Sequence, residues 1–127
     1  MVKDTRQMTL DAPSGEISTL EDVNWTFEGA DTSYFTHGLH PYPARMIPQI
    51  PDSLLNHFKS EGLVSQGDTV YDPFGGSGTS AVEARLHGLD AETNDINPLA
   101  CMVTRAKSLP LDTRRLKEAR DSLLNGL

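Results

Sequence analysis

Two short stretches carry residue types that could hold a ligand, and a third lies upstream of them. In "DPFGGSGT", Asp72 to Thr79, an acid and an aromatic ring run straight into Gly75, Gly76, Ser77 and Gly78. A backbone without Cβ atoms can turn sharply and let a ligand come close. A helix that opens directly after such a turn adds free N–H groups and the positive end of its dipole. In "NDIN", Asp95 is an acid near the end of an expected strand, where a carboxylate can take a pair of ribose hydroxyls. The third stretch, "HPYPARMIPQIP" from His40 to Pro51, is rich in proline and carries Arg45. No metal is expected: His37, His40, His57 and His87 lack ligand spacing, and Cys101 has no cysteine companion. His40 reads as a hydrogen-bonding or packing residue beside the ligand rather than as an acid or base.

These residues need elements to position them. Val70, Tyr71 and Phe74 mark a strand that runs into the glycines. Ala81, Val82 and Leu86 then recur at helical spacing over about 79–87, with Gly88 just past the end as a cap. "DAETNDI" reads as a second strand. Strand, helix and strand in so short a span predict a βαβ unit with parallel strands. Upstream, prolines at 41, 43, 48 and 51 remove backbone donors and restrict the residues before them, so this segment starts extended or turning. Pro51 suits the first turn of a helix that carries Leu54, Leu55 and Phe58 on one face, and "SEGLVSQGD" is a loop after it. Downstream, a helix is expected after Pro98, with Cys101 packing on it. A last helix follows, with Asp112 as its N-cap and Leu116, Ala119, Leu123, Leu124 and Leu127 at helical spacing. Residues 1–35 are polar and read as an irregular arm, docked by Trp25 and Phe27. Residues 36–127 form the ligand-binding portion.

The chain of 127 residues suits one domain with a modest core. Its 37% hydrophobic and 23% charged residues are those of a globular protein, which sets aside the disordered and fibrous classes. No apolar run is long enough to span a bilayer, and the N-terminus has no apolar segment of a secretory signal. One cysteine excludes an internal disulfide, and a cytoplasmic location is the default. The net charge of −7 argues against strong nucleic-acid binding by this chain alone, because phosphate contacts need concentrated Lys and Arg. "RRLKEAR", Arg114 to Arg120, reads as a solvated helix face.

Two ligand classes use a glycine turn of this kind. Gly76, Gly78 and Ala81 satisfy the loose G-x-G-x-x-A pattern of nicotinamide or flavin binding. The other class is S-adenosylmethionine (SAM), and the flanking residues favour it. "DPFGGSGT" resembles the SAM-binding signature of DNA methyltransferases that modify exocyclic amino groups. "DINPLA", Asp95 to Ala100, is similar to their ribose-binding signature, and "HPYPARMIPQIP" to the signature beside the methionine end of SAM. Together the three cover roughly residues 37–108.

The resemblance implies an α/β fold, a partial Rossmann-like class I SAM-dependent methyltransferase with flanking helices. It places Asp72 near the amino-acid part of SAM, with Pro73, Phe74, Gly76, Ser77, Gly78 and Thr79 in the loop that wraps it. Asp95 matches the ribose acid, and Ile96 and Asn97 would flank the adenine. Tyr42, Pro43, Ala44 and Arg45 match the upstream signature, and Arg45 is the expected partner of the methionine carboxylate, which a guanidinium can bind bidentately. Gly75 falls where the pattern allows any residue, so no requirement for glycine is expected there.

In this family, methyl transfer belongs to a [D/N/S]-P-P-aromatic loop that receives the base amine and stacks on the flipped-out base. The sequence has no Pro-Pro dipeptide, so no catalytic residue is assigned. A second polypeptide, or a missing segment, is therefore expected to supply the catalytic loop and DNA recognition. A SAM-binding protein without activity is the alternative, as is a fragment of an RNA base methyltransferase. Cytosine N4 and adenine N6 enzymes share these signatures, and the "HPYPAR" form inclines the reading to cytosine N4.

Overall fold

A computed structural model describes residues 19–126. Among them are two short 3-10 turns (Leu20–Asp22 and His37–Leu39), four α-helices and two strands: α1 (Gln49–Ser60), β1 (Thr69–Asp72), α2 (Thr79–Leu86), β2 (Asp90–Thr93), α3 (Pro98–Ser108) and α4 (Thr113–Asn125). The fold is mixed α/β, with a two-stranded parallel sheet and four helices.

The expected βαβ unit is present. β1 and β2 pair in parallel, with Val70 opposite Ala91 and Asp72 opposite Thr93. Val70 and Ala91 pack against a core of Leu55, Ala84 and Leu89, so one sheet face is covered by α1 and α2. Tyr71 and Glu92 point to the other face and are exposed. Alternation of this kind is what one buried face demands.

α2 lies at the centre. Ala81, Val82, Glu83 and Ala84 are all buried, four in succession, so this helix is covered on more than one side. It touches α1, α3 and both strands. Its small residues let these neighbours approach. At its end, Gly88 N–H bonds to Arg85 and Leu89 N–H to Ala84 at 2.9 Å, which closes the last turn and leads directly into β2.

The prolines set the start of α1. Pro48 caps it and Pro51 lies in its first turn, where backbone N–H groups have no intrahelical acceptor and a missing donor costs little. Asn97 caps α3 by accepting from Leu99 N–H at 3.0 Å, with Pro98 at its first position. Asp112 caps α4 through Arg114 and Arg115, as expected. No described residue of α4 is buried, so Leu116, Leu123 and Leu124 form an open apolar face; Leu127 lies outside the described residues.

The arm differs from expectation in its anchors. Residues 1–18 lie outside the described part. Trp25 is 41% exposed and stacks edge-on with Phe27 at 6.1 Å, so the two rings cover each other. Tyr34 in the arm and His37 just past it reach the body: both meet the Glu83 carboxylate on α2, at 2.6 and 2.7 Å.

Candidate functional site

The loop between β1 and α2 is gripped from several sides. Asp72 accepts from Phe74 N–H at 3.0 Å and turns the chain out of the strand. Gly75 N–H donates to the Asn94 carbonyl, and Gly76 N–H to Asp95 Oδ2, each at 2.9 Å. Gly76 carbonyl accepts from Thr104 Oγ1 at 3.1 Å. Gly78 has φ +80° and begins α2 in the left-handed region that glycine enters freely. A Cβ there would lie 2.7 Å from Thr104 Oγ1.

Gly75 corrects an expectation. A Cβ at this position would come within 2.9 Å of Thr93 Cβ, because β2 runs beside the loop. Glycine is thus required by close packing, which a linear pattern does not reveal.

The loop borders a cavity of about 210 Å³. Of the residues expected in the site, Asp72, Phe74, Gly76, Ser77 and Thr79 line it from the loop side. Tyr42, Ala44 and Arg45 line it from the upstream segment. Ala44 has φ +53°. A non-glycine residue held in that region costs on the order of 1–3 kcal/mol and tends to mark a constrained site. Phe74 is 87% exposed at the rim. Pro73 and Gly78 do not line the cavity; they shape the loop.

Arg45 does not have a free guanidinium. It donates to the carbonyls of His37 and Thr32, the latter at 2.9 Å, and to Thr32 Oγ1. Its visible work is to tie the arm to the proline segment while bordering the cavity. Pro43 sits inside this turn and fixes the approach of Ala44 and Arg45.

Asp95 lies just past β2, between the cavity and a second concavity of about 440 Å³, which it lines with Ile96, Cys101 and Arg105. Its Oδ1 accepts from Asn97 N–H at 2.8 Å while Oδ2 holds Gly76. Asn97 Nδ2 donates to Tyr42 hydroxyl at 3.3 Å and so joins the second signature to the first. Ile96 is fully exposed, an apolar platform beside the acid. Cys101 Sγ lies 3.5 Å from the Asp95 carbonyl. The three segments therefore meet around Gly76: the loop and the upstream segment line the first cavity, Asp95 and Ile96 line the second concavity, and the bonds of Asp95 to Gly76 and of Asn97 to Tyr42 tie them together. His40 is half-buried in the segment leading to Tyr42.

Sequence reasoning missed the buried polar group behind α2. Glu83 is 1% exposed and its Oε1 accepts from Tyr34 hydroxyl, with His37 Nε2 at 2.7 Å. Burial, then the hydrogen bond to Glu83, push the Tyr34 hydroxyl well above the usual tyrosine range. A charged residue inside an otherwise apolar helical stripe was the available signal. One cluster of ligand-type side chains does not follow from sequence spacing. Asp52, Glu83 and His87 bring ligand-type atoms within 4.8 Å of one another, and hydrogen bonds occupy them: His87 Nε2 lies 2.8 Å from Asp52 Oδ1.

Comparison with known proteins adds kinship. The chain is 40% identical over 93 residues to Type II methyltransferase M.MvaI of Kocuria varians, which covers 73% of this chain and 20% of that protein. It is 36% identical over 90 residues to Type II methyltransferase M.MjaII of Methanocaldococcus jannaschii, covering 70% of this chain and 16% of that protein. The chain thus spans about a fifth of the length of these curated relatives. No family model matches it, and no solved structure matches it.

Proposed function

We propose that this chain, whose homologues are type II methyltransferases, is the cofactor-holding part of a DNA methyltransferase, with SAM as methyl donor and an exocyclic base amine, cytosine N4, as acceptor. The observation that carries this reading is the meeting of three sequence segments around Gly76, two of them lining the cavity and the third bonded to it through Asp95 and Asn97. When bound, SAM supplies a methyl group already made electrophilic by its sulfonium.

The residues present fit such a molecule. The loop is bare on its cavity side: a Cβ on Gly76 would meet nothing nearer than Tyr42 Cε1 at 3.8 Å. Asp72 and the start of α2 would receive the amino-acid end. Asp95 would take the ribose hydroxyls, and Ile96 and Phe74 would offer apolar faces to the base. Because Asp95 also holds Gly76 N–H, ribose recognition and loop shape share one carboxylate.

The transfer step needs a positioned base amine. We assign this to a Pro-Pro-aromatic loop from another segment or a second polypeptide, together with DNA recognition. Support comes from the sheet. Among the described residues β1 pairs only with β2, and Tyr71 is exposed on the uncovered face. Two parallel strands form a small sheet that further strands would stabilise.

Isothermal titration with SAM, S-adenosylhomocysteine and NAD tests the cofactor. SAM and its product should bind and NAD should not; NAD binding alone would overturn the assignment. Tritiated methyl transfer to mixed-sequence DNA tests the division of labour. The chain alone should transfer nothing, and addition of the complementary part should restore transfer. Robust activity of the purified lone chain would refute that division.

A further inference from the structure

The underside of the glycine loop carries a lysine that the site described so far does not use. Lys107, on α3, is 3% exposed, and its Nζ donates to the Ser77 carbonyl at 3.1 Å. One turn earlier, Thr104 Oγ1 holds the Gly76 carbonyl, also at 3.1 Å. Positions 104 and 107 share a helix face, and the two carbonyls are consecutive. We propose that Lys107, with Thr104, is a positioning residue for SAM: the pair fixes successive carbonyls on the α3 side so that the loop presents its other face to the cleft.

The physical case has three parts. Burying an ammonium is costly unless it is well hydrogen-bonded, and an apolar side chain of similar size often serves a core as well or better. Burial, followed by the neighbouring Arg45 guanidinium, holds Lys107 below the usual lysine range. What offsets that cost is the hydrogen bond from Nζ to the Ser77 carbonyl, since a charge-assisted bond to a carbonyl is roughly twice as strong as a neutral one.

Next, the loop needs outside restraint. With glycine at 75, 76 and 78, it loses more backbone entropy on ordering than other sequences would. The residues after β2 hold its N–H groups through Asn94 and Asp95. Thr104 and Lys107 hold its carbonyls. Removing either set leaves the peptide planes able to rotate.

Finally, the same residue meets the segment just after the arm. Thr36 Oγ1 donates to the Lys107 carbonyl at 3.1 Å. That segment, α3 and the loop are therefore held in register at one position of the chain.

This inference rests on the SAM reading, and its test separates the two. Hydrogen exchange on the full chain without ligand is expected to show that Lys107→Met accelerates amides 76–80 at least ten-fold, with β1 and α1 amides unchanged. In titration the SAM dissociation constant should rise about ten-fold, and Lys107→Arg, which keeps a charged donor, should recover part of it. Thr104→Val keeps the side-chain shape, loses the hydroxyl, and should move the same amides less. Unchanged loop exchange in Lys107→Met, or acceleration spread evenly over the chain, would overturn the positioning role. If Lys107→Met does not fold, Thr104→Val decides: an unaltered loop and unaltered SAM affinity would overturn it. Wild-type chain that binds no SAM would instead overturn the cofactor assignment, a result the exchange experiment does not share.

Discussion

Gly78→Ala tests whether the loop is held by sterics as well as by backbone conformation. Gly78 has φ +80°, and an added Cβ would lie 2.7 Å from Thr104 Oγ1, 2.8 Å from Thr104 Cγ2 and 3.0 Å from Thr104 Cα. Two costs follow. A left-handed conformation costs an alanine about 1–2 kcal/mol. Forcing a methyl group into a filled space costs about 1–3 kcal/mol more, because side chains or backbone must shift. The sum, roughly 2–5 kcal/mol, is a large share of the ~5–15 kcal/mol that stabilises a typical domain.

The two costs can be separated. Gly76→Ala has φ +50° but no atom nearer than 3.8 Å to the new Cβ, so it should show only the conformational part. Thr104→Ala removes the two side-chain atoms nearest the Gly78 Cβ and leaves Cα. In a double-mutant cycle it should recover much of the steric part of Gly78→Ala and none of the conformational part. Urea unfolding followed by circular dichroism reads each variant. A Gly78→Ala protein within about 0.5 kcal/mol of wild type, or a cycle without coupling, would refute the packing of α3 against this glycine.

Two further outcomes are expected. Asp95→Ala should weaken SAM by roughly 1–3 kcal/mol in titration, since it strands the Gly76 N–H as well as the ligand hydroxyls; unchanged affinity would exclude Asp95 from the site. Tyr34 should ionise above the ordinary tyrosine value when phenolate absorbance is followed upward in pH in wild type and in Tyr34→Phe. Its folded value is raised above the ordinary 10.0, so its contribution is full below about pH 10 and is lost as pH rises beyond it. Tyr34→Phe should flatten the alkaline loss of stability, and a slope identical to wild type would show that another group drives it.

Much of this architecture was legible in the sequence because local rules and ligand geometry agreed there. Asp112 caps its helix by bonding to nearby N–H groups, and the strand-turn-helix at Asp72–Thr79 follows from apolar residues meeting glycines. What stayed hidden depends on residues far apart in sequence. The Glu83 carboxylate is buried because Tyr34 and His37, more than forty positions away, reach it. Gly75 is required because Thr93 lies beside it. Arg45 lines the cavity, and the Thr32 and His37 carbonyls that also hold it lie 13 and 8 positions away in sequence. Trp25 looked like an anchor by its size, and size alone does not choose a partner.

The contacts that shape the cleft divide the proposed activity at a physical seam. Asp95 on Gly76, Asn97 on Tyr42, Thr104 on Gly76 and Lys107 on Ser77 all run between described residues of this chain. These contacts restrain the loop from both sides. Tyr71 on the open sheet face and Leu116, Leu123 and Leu124 on α4 lie exposed. Binding a methyl donor needs the loop contacts. Transferring its methyl group needs an aligned amine as well, and alignment accounts for up to about 7–11 kcal/mol of a barrier. On the proposed function, affinity for SAM and methyl transfer should respond to different perturbations. Changes at Asp95 or Lys107 should act on binding, and changes to the loop that aligns the amine should act on transfer while leaving these hydrogen bonds in place.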